Sequence, residues 1–226
     1  MTAVLPVRFE GSGLTAVALR GGAFVGVDDE HDDDARVEQV LRAATAGERT
    51  LVYVYERLLD HVGHGRGIAS AQWVEELVRI DAFADALRER LPDDVRLVVT
   101  GDHGMVDVPT DHRLVIEDEP ELMAGVDLIG GEARLRQLYT AKPDSVAARW
   151  SDRLGSLAWV RTREEAHAEG WFGKLAPRVA DHFGDVLVAM RDDWAVLTRE
   201  VPGEFTLIGM HGSLTAAEME IPLICE

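Results

Sequence analysis

The stretch VVTGDHGMVDVP, Val98–Pro109, decides the reading of this chain: an aliphatic run stops abruptly at Asp102-His103-Gly104. An acid and an imidazole at the end of a buried strand are suited to holding a metal ion, because carboxylate oxygen and imidazole nitrogen are ligands for zinc or manganese. The pattern has a precedent upstream. In LVYVYERLLDHVGHGRG, Leu51–Gly67, Asp60 and His64 follow another aliphatic run. A third candidate, His211, stands in GMHGSLT near the C-terminus. Gly63, Gly65 and Gly67, with Gly101 and Gly104, suit the tight turns that such a site needs.

Working outward, Leu51–Tyr55 and Arg96–Thr100 read as strands; the second follows a Pro-Asp-Asp breaker. Between them Ser70 is a fitting N-cap. Trp73, Leu77, Ile80, Ala84, Leu87 and Leu91 then repeat at steps of three and four, one face of a long helix. Strand, helix, strand predicts a βαβ unit with two parallel strands. In parallel α/β sheets ligands gather beyond the carboxyl ends of strands, which would put Asp60, His64, Asp102 and His103 on one rim.

Upstream, the acidic run Asp28–Asp34 precedes a helix expected over 35–46, its carboxylates complementing the helix dipole. Downstream of Pro109 come short β-prone runs at 134–140, 158–161, 186–190 and 195–198. Helices are expected at 145–154 and 164–168. The expected organisation is an α/β core portion over 1–130, a smaller mixed α+β subdomain over 131–202, and a C-terminal segment, 203–226, returning to the core.

Other histidines have simpler readings. His31 lies in a solvated acidic face. Asp111-His112 repeats the acid-imidazole pair but has no strand before it, so a surface turn is expected. His61 should point away from Asp60 and His64. His167 and His182 have no informative context.

The 226 residues suffice for one substantial α/β domain, or a core with a small subdomain. A hydrophobic content of 46% with 28% charged residues is that of a soluble globular chain. The net charge of −18 repels polyanions, so neither nucleic-acid polymers nor anionic membranes are expected partners. A small phosphate-bearing substrate stays open, since bound divalent ions invert the local potential. The single cysteine, Cys225, allows neither an internal disulfide nor a cysteine-based zinc site. No apolar run of about 18 residues predicts a transmembrane helix. The start MTAVLPVRFEGSG does not read as a signal peptide, which gives a cytoplasmic expectation.

Taken together, LDHVGHGRGIAS, a helix carrying Asp81, VVTGDHGMVDVP and GMHGSLTAAEMEIPLI resemble the alkaline phosphatase superfamily, nearest its nucleotide pyrophosphatase/phosphodiesterase branch. The resemblance runs from about Leu51 to Pro222. It implies an alkaline-phosphatase-like, mostly parallel sheet flanked by helices, and two divalent metal ions, zinc or manganese. Asp60, His64 and His211 would bind one ion, and Asp102 and His103 would contribute to the other. It implies hydrolysis of a phosphodiester or pyrophosphate, of which a nucleotide is one candidate, through a Thr or Ser nucleophile.

That family places a further metal-binding Asp and the nucleophile well before the first histidine motif. The segment MTAVLPVRFEGSGLTAVALRGG shows no aliphatic strand ending in Asp-Gly, and Thr15 lacks a preceding ligand Asp. The expectation is therefore an incomplete domain, the C-terminal part of a longer protein. Its second site lacks a nucleophile, its activity alone is weak, and its sheet edge is covered by an oligomer or a partner. Two alternatives stand beside it: a non-catalytic metal- or nucleotide-binding remnant, and a phosphomutase or phosphonate hydrolase of the same superfamily.

Overall fold

The computed structural model describes residues 1–225. In chain order its elements are β1 (Thr2–Pro6), α1 (Gly13–Ala18), β2 (Ala23–Val27), α2 (Asp33–Ala44), β3 (Val52–Val54), α3 (Leu58–Arg66), α4 (Ala71–Arg90) and β4 (Val98–Thr100). They continue as β5 (Val106–Asp107), β6 (Arg113–Val115), α5 (Pro120–Met123), β7 (Leu128–Glu132), β8 (Leu135–Tyr139), α6 (Pro143–Leu154) and β9 (Ala158–Thr162). Last come α7 (Arg163–Ala168), α8 (Pro177–Ala180), β10 (Val186–Met190), β11 (Ala195–Leu197), β12 (Gly209–Met210), α9 (Ala216–Met219) and β13 (Leu223–Cys225). Among the described residues no helix is long and apolar enough to cross a membrane.

The chain forms an α/β fold of two compact units. The first comprises Met1–Val62, Ala71–Thr100 and the last residues from Pro222; the second comprises Gly63–Ser70 and Gly101–Ile221. In the first unit β1 is the middle strand of a parallel sheet of order β2-β1-β3. Its Ala3, Val4 and Leu5 are buried, as a central strand covered by helices requires. Val37 and Val40 of α2, with Phe83 and Leu87 of α4, pack around Val4 and Val27.

The expected βαβ pairing is corrected here. β3 takes β1 as its parallel partner, while β4 pairs antiparallel with β13. The sequence reading overlooked β1 because TAVLP is short, terminal and closed by proline, with no turn signal before it. An aliphatic strand therefore does exist at the N-terminus, ending in Pro6-Val7 rather than Asp-Gly. In the C-terminal segment Leu223–Cys225 pairs with β4. The buried stripe of α4 also differs from the expected one. Phe83 and Leu87 are buried, whereas Leu77 is exposed with Val74 and Val78.

Asp32 caps α2 by accepting from the Ala35 amide at 3.0 Å. Asp33 is not part of a solvated face. It receives Arg36 at 3.1 Å and Arg79 at 2.5 Å, and both guanidinium groups also reach Glu56. His31 is exposed, as are Asp28, Asp29, Asp32 and Asp34, and lies 3.9 Å from Asp29.

The second unit is built on an antiparallel sheet of order β7-β8-β10-β9. All five residues of β10 are buried between β8 and β9, and α6 covers them with Val146, Trp150 and Leu154. The Trp150 indole donates to the Leu122 carbonyl at 3.0 Å, so its one polar atom is satisfied within the core. Two short ladders complete the unit: β11 with β6, parallel, and β12 with β5, antiparallel.

Candidate metal centre

The β5–β12 ladder assembles the centre of the second unit. Asp107 pairs with Gly209 and Val106 with Met210. His103 lies three residues before β5, and His211 directly follows β12, so an antiparallel pairing of two residues per strand brings both imidazoles to one end of the ladder. Their rings stack with centroids 3.6 Å apart and planes inclined by 19°. The His64 ring lies 5.1 Å from that of His211. Three histidines separated by up to 147 positions in sequence thus form one cluster.

His64 is fastened to the same ladder. Its carbonyl accepts from the Ile208 amide at 2.7 Å, and its Nδ1 lies 2.8 Å from the Gly209 carbonyl. A carbonyl only accepts, so Nδ1 carries the proton and Nε2 carries the lone pair. His103 Nδ1 lies 2.9 Å from the Gly104 carbonyl, with the same consequence. Backbone carbonyls that fix the tautomer in this way prepare Nε2 for a metal ion. Gly209 has to be glycine here: a Cβ would stand 2.6 Å from the Gly63 carbonyl oxygen. Downstream of His64, the Asp107 carboxylate accepts from the Ile68 and Ala69 amides at 2.8 and 3.3 Å, holding the end of α3 against β5.

Each residue expected from the sequence has a definite place. His64, His103 and His211 converge. Asp102 is 69% exposed at its side chain; its Oδ1 accepts from the His103 amide at 3.2 Å and lies 3.8 Å from His103 Nε2. Asp60 belongs to the first unit, in the first turn of α3, and lies four residues before His64, hence on the same helix face. His61, on α3, is exposed.

Thr15 sits in the first turn of α1, where its amide and hydroxyl both engage Ser12 Oγ, at 3.3 and 3.0 Å; this is an N-cap arrangement. Asp111 and His112 lie in a 3-10 turn, as the surface-turn reading expects, although β5 does precede them. There His112 pairs with Asp193 at 2.7 Å and stacks on Trp194.

Sequence reasoning missed the residues that hold these loops. Asp107 is one, although it lies within the quoted VVTGDHGMVDVP. Glu218 is another: its carbonyl accepts from the Gly104 amide at 2.8 Å, and its Oε1 accepts from the Ser213 amide at 3.0 Å. Burial pushes the Glu218 carboxyl up, but hydrogen bonds from Arg134, Thr215 and the Ser213 amide outweigh it and hold the group below its ordinary value. An acid in a helical TAAEME segment looks like a solvent-facing residue, and nothing local in the sequence distinguishes it.

Comparison with known proteins bears on the family and the fold. A model of the type I phosphodiesterase / nucleotide pyrophosphatase family matches residues 16–214. The catalytic subunit of human GPI ethanolamine phosphate transferase 3 is 33% identical over 73 residues, which are 32% of this chain and 7% of that protein. Murine ectonucleotide pyrophosphatase / phosphodiesterase 5 superposes with a TM-score of 0.69 at 17% identity, over 98% of this chain and 59% of that one. An inactive variant of it, in complex with AMP, superposes equally well. Phosphonoacetate hydrolase from Sinorhizobium meliloti 1021, in complex with phosphonoacetate, gives 0.63 at 17% identity, over 99% and 64%. At such identities the solved structures show the fold. The chain spans about three-fifths of their length, and a much smaller part of the curated relatives. With the family model covering most of its residues, this chain belongs to the type I phosphodiesterase / nucleotide pyrophosphatase family.

Proposed function

We propose that the histidine cluster is part of a divalent-metal centre that hydrolyses phosphodiesters or pyrophosphates. The observation carrying this reading is the convergence of His64, His103 and His211, with the Nδ1 protons of His64 and His103 engaged by backbone carbonyls. This donor set fits zinc or manganese, both of which accept imidazole nitrogen. His64 and His211, joined by Asp60 from one helical turn before His64, would hold one ion. His103, with Asp102 beside it, would contribute to the second. When bound, such ions neutralise the charge of a phosphate and lower the pKa of a coordinated oxygen nucleophile.

The chain's own part is to hold these groups in place. The Gly209 and Gly104 carbonyls fix two tautomers, and the β5–β12 ladder fixes the spacing of His103 and His211. The substrate class is a small phosphate ester, and a nucleotide is a candidate because a structural neighbour was solved with AMP. Thr15 is taken up by the Ser12 cap of α1, and among the described residues no other stands out as a nucleophile, so we propose slow turnover for the 226-residue chain. A phosphonate is the second candidate substrate, since another neighbour holds phosphonoacetate. A cytoplasmic setting is proposed from the sequence.

The test is metal binding followed by turnover. Titration calorimetry with Zn²⁺ or Mn²⁺ should show saturable binding, lost in His211→Ala. Hydrolysis of a bis-nitrophenyl phosphodiester should be slow and abolished by a chelator. Robust turnover that His211→Ala removes but the chelator leaves intact would overturn the metal reading. Cleavage of phosphonoacetate with no action on the diester would favour the second substrate class.

A further inference from the structure

One buried ion pair touches both histidine-bearing loops of the second unit. Arg134 and Glu218 are almost fully buried. The guanidinium grips the carboxylate with two bonds, Nε to Oε1 at 3.0 Å and Nη2 to Oε2 at 2.6 Å, and its Nη1 donates to the Trp194 carbonyl at 2.5 Å. The same carboxylate accepts from the Ser213 amide at 3.0 Å and from the Thr215 hydroxyl at 2.5 Å. Ser213 is two residues from His211. The Glu218 backbone carbonyl accepts from the Gly104 amide at 2.8 Å, and the Gly104 carbonyl in turn meets His103 Nδ1. Gly104 lies so close to α9 that a Cβ on it would stand 2.0 Å from the Ala217 carbonyl oxygen.

Stability alone does not account for this construction. A buried ion pair recovers little more than its desolvation cost, and apolar side chains of similar volume often serve as well. What apolar side chains cannot supply is a rigid acceptor for the Ser213 amide and the Thr215 hydroxyl. A bidentate guanidinium–carboxylate pair fixes the carboxylate in plane and orientation. From these contacts we infer that Arg134 and Glu218 are positioning residues, setting the His103 and His211 rings at their mutual distance and orientation for the metal ion. The metal part of this inference rests on the function proposed above; the positioning part concerns the protein alone. Outer residues that orient metal ligands in this way change metal affinity by about ten- to a hundred-fold when removed.

The experiment uses the whole 226-residue chain and two variants. Arg134→Lys keeps the charge but loses the two-pronged grip. The double variant Arg134→Met with Glu218→Met replaces the pair by apolar side chains that fill the site. Thermal melting reports folding, Zn²⁺ titration calorimetry reports affinity, and imidazole nitrogen NMR of the metal-free protein reports ring environment.

The expected result is a folded Arg134→Lys protein whose Zn²⁺ affinity falls about ten-fold. Its His103 and His211 ring signals should shift or broaden, while those of the exposed His31, in the first unit, stay in place. The double variant, where it folds, should show a larger loss; where it does not, Arg134→Lys decides. Wild-type affinity and unchanged His103 and His211 signals in a folded variant would overturn the inference. If the wild-type chain binds no Zn²⁺, the metal reading fails, and the ring signals still decide the positioning role.

Discussion

β10 and β3 are both written in aliphatic and aromatic-permissive residues, yet they end in different surroundings. All five residues of β10 are buried, with a strand on each side and α6 packed over them. β3 is the outer strand of its sheet, and Leu51 and Tyr53 are 64% and 42% exposed. Val98 on β4, and Leu223 and Ile224 on β13, are exposed as well. Burial therefore follows position in the sheet rather than composition. The second unit supplies its own cover, while the first leaves part of its apolar strand surface to water. Apolar burial is worth about 25 cal/mol per Å², so the two units draw unequal stability from similar residues.

The largest effect should come from the well-covered side. Trp150 is fully buried, fills the space between α6 and the antiparallel sheet, and satisfies its indole on Leu122. Trp150→Ala should cost about 3–5 kcal/mol in urea unfolding, through lost apolar contact and the cavity left behind. It should also remove amide exchange protection from β10. A loss under about 1 kcal/mol would show that the second unit is loosely packed, and the comparison would collapse.

A smaller effect separates the charged interiors. Glu56 in the first unit is desolvated, which raises its pKa. The Leu58 amide and the Arg36 and Arg79 guanidinium groups outweigh that and hold it below its ordinary value of 4.5. A depressed carboxylate adds stability that is present above the unfolded value and is lost as pH falls through the folded one. Glu56→Gln should therefore cost about 1.5–3 kcal/mol at pH 7, the range for a hydrogen bond to a charged group. It should also flatten the loss of stability below pH 4.5. Because this cluster is part-exposed, added salt should shrink the penalty. A penalty of equal size at pH 3 and pH 7 would remove the electrostatic account.

The limits of sequence reading follow the same division. In the second unit α6 and α7, and the strands at 134–140, 158–161, 186–190 and 195–198, were legible because apolar period and turn residues agree there. β1 was not, since a five-residue strand closed by proline offers no period to count. Pairing was less legible than existence: β4 accepts β13 from 123 residues later, counted Thr100 to Leu223, a choice no local pattern records. At the site, His64 and His103 stood out by residue type and strand ends, and His211 through the family resemblance. Their meeting depends on a ladder of two residues per strand, too short to show as a pattern. Asp107, Arg134 and Glu218 were invisible for a different reason. Their partners, backbone amides for Asp107 and Glu218 and the Glu218 carboxylate for Arg134, come within reach only in the folded chain.

The smallest expected effect tests the exposed side of the comparison most sharply. Leu51 and Val98 are apolar, strand-associated and mostly in water. Replacing either with threonine supplies a β-branched residue that strands favour and removes apolar surface from solvent. If these positions face water in the protein as it exists, Leu51→Thr and Val98→Thr should change stability by no more than about 0.5 kcal/mol, and should reduce self-association in sedimentation. If another copy or another chain covers the surface, the same substitutions should behave as core changes, costing about 1–3 kcal/mol and weakening an assembly visible before the mutation. The two outcomes differ in sign for solubility and in size for stability. A single pair of variants therefore decides whether the first unit is left bare, or whether its missing cover comes from a partner.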